Sequence, residues 1–314
     1  MKKAKVTVVG AGFVGATTAQ RIAEKDLADV VLIDVVEGLA EGKALDIQQS
    51  ASAEGFDARI VGTQDYALTE RSDVIVITAG LARKPGMSRD DLLFKNAEIV
   101  SQVTDQCARR SPESLLLIVT NPLDVMTQLA WKRSGFENRR VFGMAGVLDS
   151  VRYGYFIARE LGISVRDVRA MVLGGHGDSM VPLPRYSTVN GIPLETLVPA
   201  EKIEAINHKT RNGGAEIVNL LKTGSAFYAP SSSACAMVEA ILRDSGRILP
   251  CSVYLEGQYG LSGVYCGVPV KLGRQGVLEV LELPLTGPES EALRRSSEEV
   301  SRNAGKLAAA GFLN

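Results

Sequence analysis

The chain has 314 residues, which is too long for one small core and predicts two domains or one large α/β domain with an appendage. Its composition, 46% hydrophobic and 23% charged, is that of an ordinary globular protein. A net charge of −1 argues against a basic face for nucleic acid or anionic membranes, and the absence of any apolar run of about 18 residues argues against a transmembrane helix.

The first half of the chain alternates short β-rich segments with helical patterns, as βαβ units with a parallel sheet do. Near-continuous apolar character favours strands that are covered on both faces. Lys2, Lys3 and Lys5 precede an apolar stretch, as in a signal peptide, but three glycines at fixed spacing predict a strand, a turn and a helix there. We therefore expect a Rossmann-type doubly wound parallel sheet, with strands over residues 5–10, 30–35, 59–63, 73–80, 115–121 and 140–144 and a first helix over 15–25.

The second half has the pattern of an α+β unit with an antiparallel sheet. We expect helices over residues 150–161, 201–221, 231–244 and 289–309, and strands over 168–173, 182–189, 252–255 and 267–281. The expected division is a dinucleotide-binding domain over 1–144 and a substrate domain over 145–314.

A glycine-rich turn of the form GxGxxG follows the first predicted strand and opens a helix. Its first glycine permits a tight turn, its second lets the backbone approach a pyrophosphate, and its third allows close packing of helix on strand. The helix N-terminus supplies N–H donors and partial positive charge. An ordinary glycine turn is the alternative. The predicted cofactor-binding residues in this turn are Gly10, Ala11, Gly12, Phe13, Val14 and Gly15.

Asp34 ends the second predicted strand, 19 residues after Gly15, where an acid holds the ribose diol of a dinucleotide. Its carboxylate repels a 2′-phosphate, and no arginine follows it. The sequence therefore predicts NAD rather than NADP as the cofactor.

A charged segment over residues 80–91 follows the fourth predicted strand and holds the cations Arg83, Lys84 and Arg89. A solvated loop is the ordinary interpretation of such a run. Because this segment leaves the carboxyl end of a central strand, we also consider a cationic lid that closes over an anion.

Two asparagines occupy positions where a ligand contact is plausible. Asn96 lies on the apolar stripe of a predicted helix, where a polar residue needs a partner, and the cofactor is one candidate. Asn121 ends the fifth predicted strand at the ligand-binding edge of the sheet and can orient nicotinamide or substrate, although a simple Asn-Pro turn is equally consistent with the local sequence.

His176, one of only two histidines, lies among glycines directly after an apolar run. Small neighbours let a substrate approach the ring, and imidazole suits proton transfer near neutral pH. A histidine that is merely satisfied at a strand end is the structural alternative.

Asp149 and Arg152 are three residues apart at a predicted helix start and therefore project from one face. Asp149 could simply cap the helix and pair with Arg152. With His176 nearby, the two residues can instead have separate roles. Asp149 would orient the imidazole, and Arg152 would bind a substrate carboxylate.

The combined motifs resemble the malate dehydrogenases of the lactate-dehydrogenase-like type, and the resemblance runs essentially from end to end. The segments that carry it are residues 10–15, 33–34, 78–80, 82–92, 120–122, 146–149, 174–178, 224–230 and 267–273.

This resemblance implies that His176 is the general acid/base with Asp149 as its partner. Arg152 would bind the carboxylate beside the reacting carbon, and Arg89 would polarise the carbonyl, so no metal is required. Arg83 occupies the position that distinguishes malate-type enzymes from lactate-type enzymes, which have glutamine there. The resemblance further implies cofactor contacts by Asn96, Val119, Thr120 and Asn121, with Asn121 also touching substrate, and Ala226 stands where lactate-type enzymes usually have threonine.

The implied activity is reversible oxidation of (S)-malate to oxaloacetate with NAD, a reaction of the tricarboxylic acid cycle. A lactate or other 2-hydroxyacid dehydrogenase is the alternative within the class, and an NAD-dependent glycosidase or a non-catalytic NAD sensor is the alternative outside it. The resemblance also implies dimers or tetramers, of which we favour a homotetramer. Because of the charge balance and the lack of a long apolar run, we expect no nucleic-acid or membrane partner. The cysteines lack CxxC spacing and a histidine partner pattern, so we expect reduced thiols and a cytoplasmic location; they are Cys107, Cys235, Cys251 and Cys266.

Overall fold

A computed structural model describes residues 3–81 and 88–313 of the chain. The helices in these residues are α1 (Phe13–Glu24), α2 (Leu39–Gln49), α3 (Ala51–Glu54), α4 (Arg89–Arg110), α5 (Leu123–Ser134), α6 (Gly146–Leu161), α7 (Leu194–Leu197), α8 (Ala200–Leu221), α9 (Tyr228–Leu242) and α10 (Gly287–Ala309). The strands are β1 (Lys5–Val9), β2 (Asp29–Ile33), β3 (Ile60–Thr63), β4 (Val74–Ile77), β5 (Leu115–Ile118), β6 (Val141–Gly143), β7 (Val168–Arg169), β8 (Val172–Leu173), β9 (Val181–Pro182), β10 (Thr188–Val189), β11 (Ile192–Pro193), β12 (Arg247–Glu256), β13 (Ser262–Gly273) and β14 (Gly276–Val280).

Six parallel strands form one side of the main sheet in the order β3-β2-β1-β4-β5-β6, with β3 at the edge. This is the strand order of a doubly wound dinucleotide-binding sheet, which confirms the predicted fold class. The order reverses between β1 and β4, and ligands bind in such sheets at the carboxyl ends of the strands beside that reversal.

The core lies on both faces of this sheet. Along β4, Val74 and Val76 pack into one hydrophobic cluster, whereas Ile75 and Ile77 pack into another. Because successive side chains of a strand point to opposite faces, a strand covered on both sides needs apolar residues at every position. Both β4 and β5 are accordingly buried at every residue.

Three antiparallel strands extend the same sheet beyond β6. Ser252 of β12 pairs with Gly143 of β6, and β13 and β14 follow, so the described residues form a nine-stranded sheet. Gly143 permits this junction, because a Cβ there would lie 3.0 Å from Ser252 Cβ. The predicted antiparallel sheet is confirmed, and it is continuous with the parallel one. Two small antiparallel sheets, β11-β10-β7 and β8-β9, complete the described strands.

Helix α6 begins at Gly146, four residues before the predicted start. Gly146 packs against the carbonyl oxygen of Val172, and a Cβ at this glycine would lie 2.6 Å from that oxygen. This contact joins segments that are distant in sequence, so periodicity alone does not reveal it. As a result, Asp149 lies in the first turn of a helix whose beginning is buried.

Three predicted strands are divided in the structure. The strand predicted over 168–173 becomes β7 and β8, which belong to different sheets. A 3₁₀ turn that begins at Pro184 separates β9 from β10. Gly276, with a φ of +91°, turns the chain from β13 into β14, and β13 begins already at Ser262. No helix in residues 3–81 and 88–313 combines the length and apolar composition required to cross a membrane.

Gly267 provides a test of how the fold holds the segment that carries His176. Gly174 and Gly267 exchange backbone hydrogen bonds, and a Cβ at Gly267 would lie 2.4 Å from the Gly174 carbonyl oxygen. We expect Gly267→Ala to lower the free energy of unfolding by about 1–3 kcal/mol, because the strands must separate. The exposed helical control Gly305→Ala, whose Cβ meets nothing within 4 Å, should raise it by about 0.5–1 kcal/mol. Urea unfolding of both variants at one protein concentration measures the difference, and equal effects would contradict the packing argument.

Candidate active site

The glycine-rich turn connects β1 to α1 and has one open side. A Cβ at Gly10, whose φ is +100°, would lie 2.8 Å from Ala79 N, and a Cβ at Gly15 would lie 1.7 Å from the Gly10 carbonyl oxygen. A Cβ at Gly12 would meet nothing within 4 Å, and no side chain caps the helix at Gly12. The first N–H groups of α1 therefore face open space, which fits a pyrophosphate at this helix N-terminus.

Asp34 lies beside this turn, at the carboxyl end of β2. Its Oδ2 accepts a hydrogen bond from Ala11 N at 2.6 Å, and its Oδ1 accepts one from Val36 N at 3.0 Å. Sequence reasoning missed Lys43 of α2, whose ammonium donates to the Ala11 carbonyl oxygen at 2.7 Å. The turn and the acid together fit the phosphate and ribose groups of a dinucleotide.

Asn96 finds its hydrogen-bond partners within the chain. Its Oδ1 accepts from Leu81 N at 2.7 Å, and its Nδ2 donates to the carbonyl oxygens of Leu81 at 3.2 Å and Asn121 at 2.7 Å. The residue is 1% exposed. The backbone therefore satisfies the amide for which we considered the cofactor, and direct cofactor contact by Asn96 stays a prediction. Its observed hydrogen bonds join the segment after β4 to the segment after β5.

His176 and Asp149 form a buried pair. The Nδ1 atom of His176 lies 2.9 Å from Oδ2 of Asp149, and the two side chains are 14% and 2% exposed. Burial by itself lowers the pKa of His176, but the charge of Asp149 and its hydrogen bond outweigh burial and raise the pKa above its ordinary value. The Nε2 atom is the ring nitrogen left to exchange a proton with a substrate.

Arg152 lies one turn after Asp149 on α6, with its Nη1 atom 3.7 Å from Asp149 Oδ1. Its side chain is 14% exposed, and among the described residues its Nε atom has no hydrogen-bond partner. Burial lowers the pKa of this guanidinium, while Asp149 opposes the shift. A buried donor without a partner is costly, and a ligand carboxylate would satisfy it.

His176 and Arg152 line a cavity of about 280 Å³ between the carboxyl edge of the sheet and α8. The predicted site residues that share this cavity are Val14, Val119, Asn121, Arg152, His176 and Ala226. Sequence reasoning missed Arg211 of α8, which lines the same cavity and is recognisable only through the tertiary contact. The cavity offers an acid/base, a buried cation and an apolar wall, which suit a small hydroxy acid beside a cofactor.

Arg89, the first residue of α4, does not line that cavity. Its side chain is 74% exposed, and its Nη2 atom lies 3.6 Å from Asp178 Oδ2. It lines a second cleft of about 450 Å³ on which His176 also borders. Arg83 and Lys84 lie outside the described residues.

The sequence analysis also missed Asp124 and the two serines that act with it. Asp124, in the first turn of α5, accepts hydrogen bonds from the backbone N–H of His176 at 2.9 Å and from Ser252 Oγ at 2.6 Å. Ser296 Oγ of α10 accepts from Gly175 N at 2.8 Å. An acid three residues after Asn121 signalled a helix start at most, so sequence alone gave no reason to select it.

Comparisons with known proteins agree with this geometry. Residues 4–143 match the model of the lactate/malate dehydrogenase NAD binding domain, and residues 146–310 match the lactate/malate dehydrogenase alpha/beta C-terminal domain. The chain is 57% identical over 305 residues to a malate dehydrogenase of Pelodictyon phaeoclathratiforme, covering 97% of this chain and 98% of that protein. It is 58% identical over 304 residues to a malate dehydrogenase of Chloroherpeton thalassium, covering 96% and 98% of the two chains.

A solved structure gives the same result in three dimensions. The malate dehydrogenase from Salinibacter ruber superposes with a TM-score of 0.93 at 52% identity, covering 98% of this chain and 99% of that one. The two family models together span nearly the whole chain. The chain therefore belongs to the lactate/malate dehydrogenase family.

Proposed function

We propose that this protein is an NAD-dependent malate dehydrogenase that interconverts (S)-malate and oxaloacetate. The observation that carries the proposal is the buried His176–Asp149 pair beside Arg152 on one small cavity. A proton-transfer group and a buried cation on one cavity are what a 2-hydroxy acid requires. The high identity to malate dehydrogenases supports malate as the substrate.

In this proposal His176 takes the hydroxyl proton of malate at Nε2, while NAD, when bound, supplies the acceptor for the hydride. Asp149 holds the ring by its Nδ1–H and stabilises the imidazolium that forms. The raised pKa of His176 favours this charged state. In the reverse direction the same imidazolium returns the proton to the carbonyl oxygen of oxaloacetate.

Three arginines are proposed to bind the substrate carboxylates and to polarise its reacting carbonyl. Arg152 grips the carboxylate beside the reacting carbon with its buried guanidinium. Arg83 would pair with the distal carboxylate and Arg89 would polarise the reacting carbonyl. The roles of Arg83 and Arg89 rest on the family resemblance, and Arg89 must leave Asp178 to reach the cavity.

Cofactor binding is proposed for the glycine turn, Asp34, Asn96 and the segment after β5. The open face of Gly12 and the free start of α1 support the pyrophosphate position. Asp34, which already lies against the Ala11 amide, supports the ribose position. Val119 and Asn121 line the cavity beside His176, where the nicotinamide would have to lie, and Thr120 fixes their strand end through its hydrogen bond to the Ala79 carbonyl oxygen.

We also propose a division into a cofactor domain over residues 1–144 and a substrate domain over 145–314, which the boundaries of the two family models support. A homotetramer, with a dimer as the alternative, is supported by exposed apolar side chains such as Val151, Tyr155 and Leu220. The four free, buried cysteines support a cytoplasmic location, and malate oxidation supports a role in the tricarboxylic acid cycle.

Replacing His176 tests the proton-transfer role. We expect His176→Asn to lower kcat about 10²–10⁴-fold, because the group that exchanges the substrate proton is lost, while the Kd of NADH changes little. The control is His208→Asn on the exposed face of α8, which should keep full turnover. Steady-state assays and NADH fluorescence measure both quantities. Full activity in the His176 variant would exclude the assignment.

Replacing Asp34 tests the choice between NAD and NADP. We expect Asp34→Ser combined with Val35→Arg to improve kcat/KM for NADPH relative to NADH, since the repelling carboxylate is removed and a phosphate partner is added. Val35 is 82% exposed, so the arginine is not forced into the core. Val35→Arg alone is the matched control. A wild-type protein that uses NADPH as readily as NADH would contradict this explanation.

Replacing Arg83 tests the choice between malate and lactate chemistry. Pyruvate presents a methyl group where oxaloacetate has its distal carboxylate, so a closed site with an unpaired arginine should reject it by about 10⁴–10⁵-fold. We expect Arg83→Gln to lower kcat/KM for oxaloacetate and to raise it for pyruvate at an unchanged Kd for NADH. NADH-oxidation assays with both substrates give the ratio. An unchanged ratio, or a wild type that reduces both substrates equally, would remove Arg83 from this role.

A further inference from the structure

The segment that carries His176 is held from behind by side chains of two helices, α5 and α10, that lie far apart in sequence. Ser296 of α10 accepts from the backbone N–H of Gly175 at 2.8 Å, and Asp124 of α5 accepts from that of His176 at 2.9 Å. Ser296 Oγ also donates to Ser179 Oγ at 3.2 Å. The N–H groups of Gly175 and His176 and the hydroxyl of Ser179 are therefore hydrogen-bonded to buried side chains outside their own segment.

The side chains that make these hydrogen bonds are buried, and burial of the Asp124 carboxylate costs hydration free energy. Asp124 is 5% exposed, and Ser252 and Ser296 are 0% and 1% exposed. A buried carboxylate requires hydrogen bonds that compensate for its lost hydration. Asp124 obtains them from Ser252 Oγ at one oxygen and His176 N at the other. Burial raises the pKa of Asp124 and the two donors oppose that shift.

The glycine at position 175 makes this close approach possible. A Cβ there would lie 3.3 Å from Asp124 Oδ2, 3.4 Å from Ser296 Oγ and 3.2 Å from a Val300 methyl carbon. A larger residue would push the segment away from both acceptors. The backbone of Gly175 and His176 is therefore packed directly onto α5 and α10.

We propose that Asp124 and Ser296 are positioning residues for His176, because they fix two consecutive amides and thereby hold the imidazole at hydrogen-bond distance from Asp149. We call Asp124, Ser252 and Ser296 the backbone clamp. It contacts neither the Nε2 atom nor Arg152 by any hydrogen bond in the described residues. Its effect on catalysis thus passes through the orientation of the ring, and this deepens the proposed dehydrogenase function on which it rests.

The charged groups around His176 influence its pKa, so they determine how a change in that pKa is interpreted. Asp149 and Arg152 face it from α6, and Asp124 faces it from α5. Its own segment contributes Asp178. The other charged residues that line the adjoining cavities belong to α4, α8 and α10 and are Arg89, Asp90, Arg211, Glu299, Arg302 and Lys306. Ser296→Ala changes none of these charges. A change in the pKa of His176 in that variant therefore reports a displaced ring rather than a lost charge.

The experiment compares Ser296→Ala with Ser297→Ala. Ser297 is the adjacent residue on α10, is 4% exposed, and donates to the Arg294 carbonyl oxygen. Its hydroxyl makes no hydrogen bond to the His176 segment within the described part of the chain. Full-length protein labelled with ¹³C-histidine shows two ring signals, and His208→Asn assigns the one that belongs to His176. We follow the titration of this signal, kcat for oxaloacetate and the Kd of NADH.

We expect Ser296→Ala to lower the pKa of His176, since a loosened Asp149 contact leaves the effect of burial in place. We expect kcat to fall about 10–100-fold, the loss that misplacement of a reacting group by about 1 Å can cause, at an unchanged Kd of NADH. Ser297→Ala should behave as the wild type. A wild-type titration and kcat in Ser296→Ala, or equal losses in both serine variants, would overturn the proposal.

Variants of Asp124 provide a second, independent test of the positioning role. Asp124→Ala removes the acceptor for the His176 amide, whereas Asp124→Asn keeps an oxygen that can accept from it. We expect Asp124→Ala to lose kcat and Asp124→Asn to recover most of it. Equal loss in the two variants would count against positioning, and if Asp124→Ala does not fold, the serine pair decides alone.

The titration also separates this proposal from the proposed function. If the wild type does not reduce oxaloacetate but Ser296→Ala still shifts the His176 titration, the dehydrogenase assignment fails and the backbone clamp stands. If oxaloacetate is reduced and the titration does not move, the dehydrogenase assignment stands and the backbone clamp fails.

Discussion

The buried hydrogen bond between His176 and Asp149 is the interaction on which the rest of the site depends. An aspartate that is 2% exposed is costly without a partner, and the imidazole supplies one. The same carboxylate raises the pKa of His176 against the opposing effect of burial. The pair therefore compensates for the burial of Asp149 and favours the charged form of the imidazole.

Two contacts between distant segments bring His176 and Asp149 together. Helix α6 can begin at Gly146 because that glycine tolerates the Val172 carbonyl oxygen at close range, and this places Asp149 under the segment after β8. The exchange of hydrogen bonds between Gly174 and Gly267 attaches that segment to β13. Because the parallel and antiparallel strands form one continuous sheet, the His176 segment is held at a fixed distance from the carboxyl ends of the parallel strands.

Much of this organisation was predictable where it depends on local pattern. Apolar β-rich runs predicted each of the six parallel strands to within a few residues, because a strand buried on both faces leaves no polar position. The turn between β1 and α1 was predictable because a tight turn and close helix packing require glycine at fixed spacing. The start of α6, the hydrogen-bond partners of Asn96 and the role of Asp124 were not predictable, since each depends on a contact with a distant segment.

The sequence by itself determined the doubly wound sheet, the position of the glycine-rich turn and the chemical types of the candidate site residues, because periodicity and turn chemistry act over a few neighbouring residues. Only the tertiary structure decided which side chains share a cavity with His176. It placed Arg152 and Arg211 on that cavity, left Arg89 beside Asp178, and brought Asp124 and Ser296 behind the His176 backbone. These arrangements depend on strand pairing and helix packing between segments that are distant in sequence, such as Gly175 and Ser296, which are 121 residues apart, and no local pattern encodes such contacts.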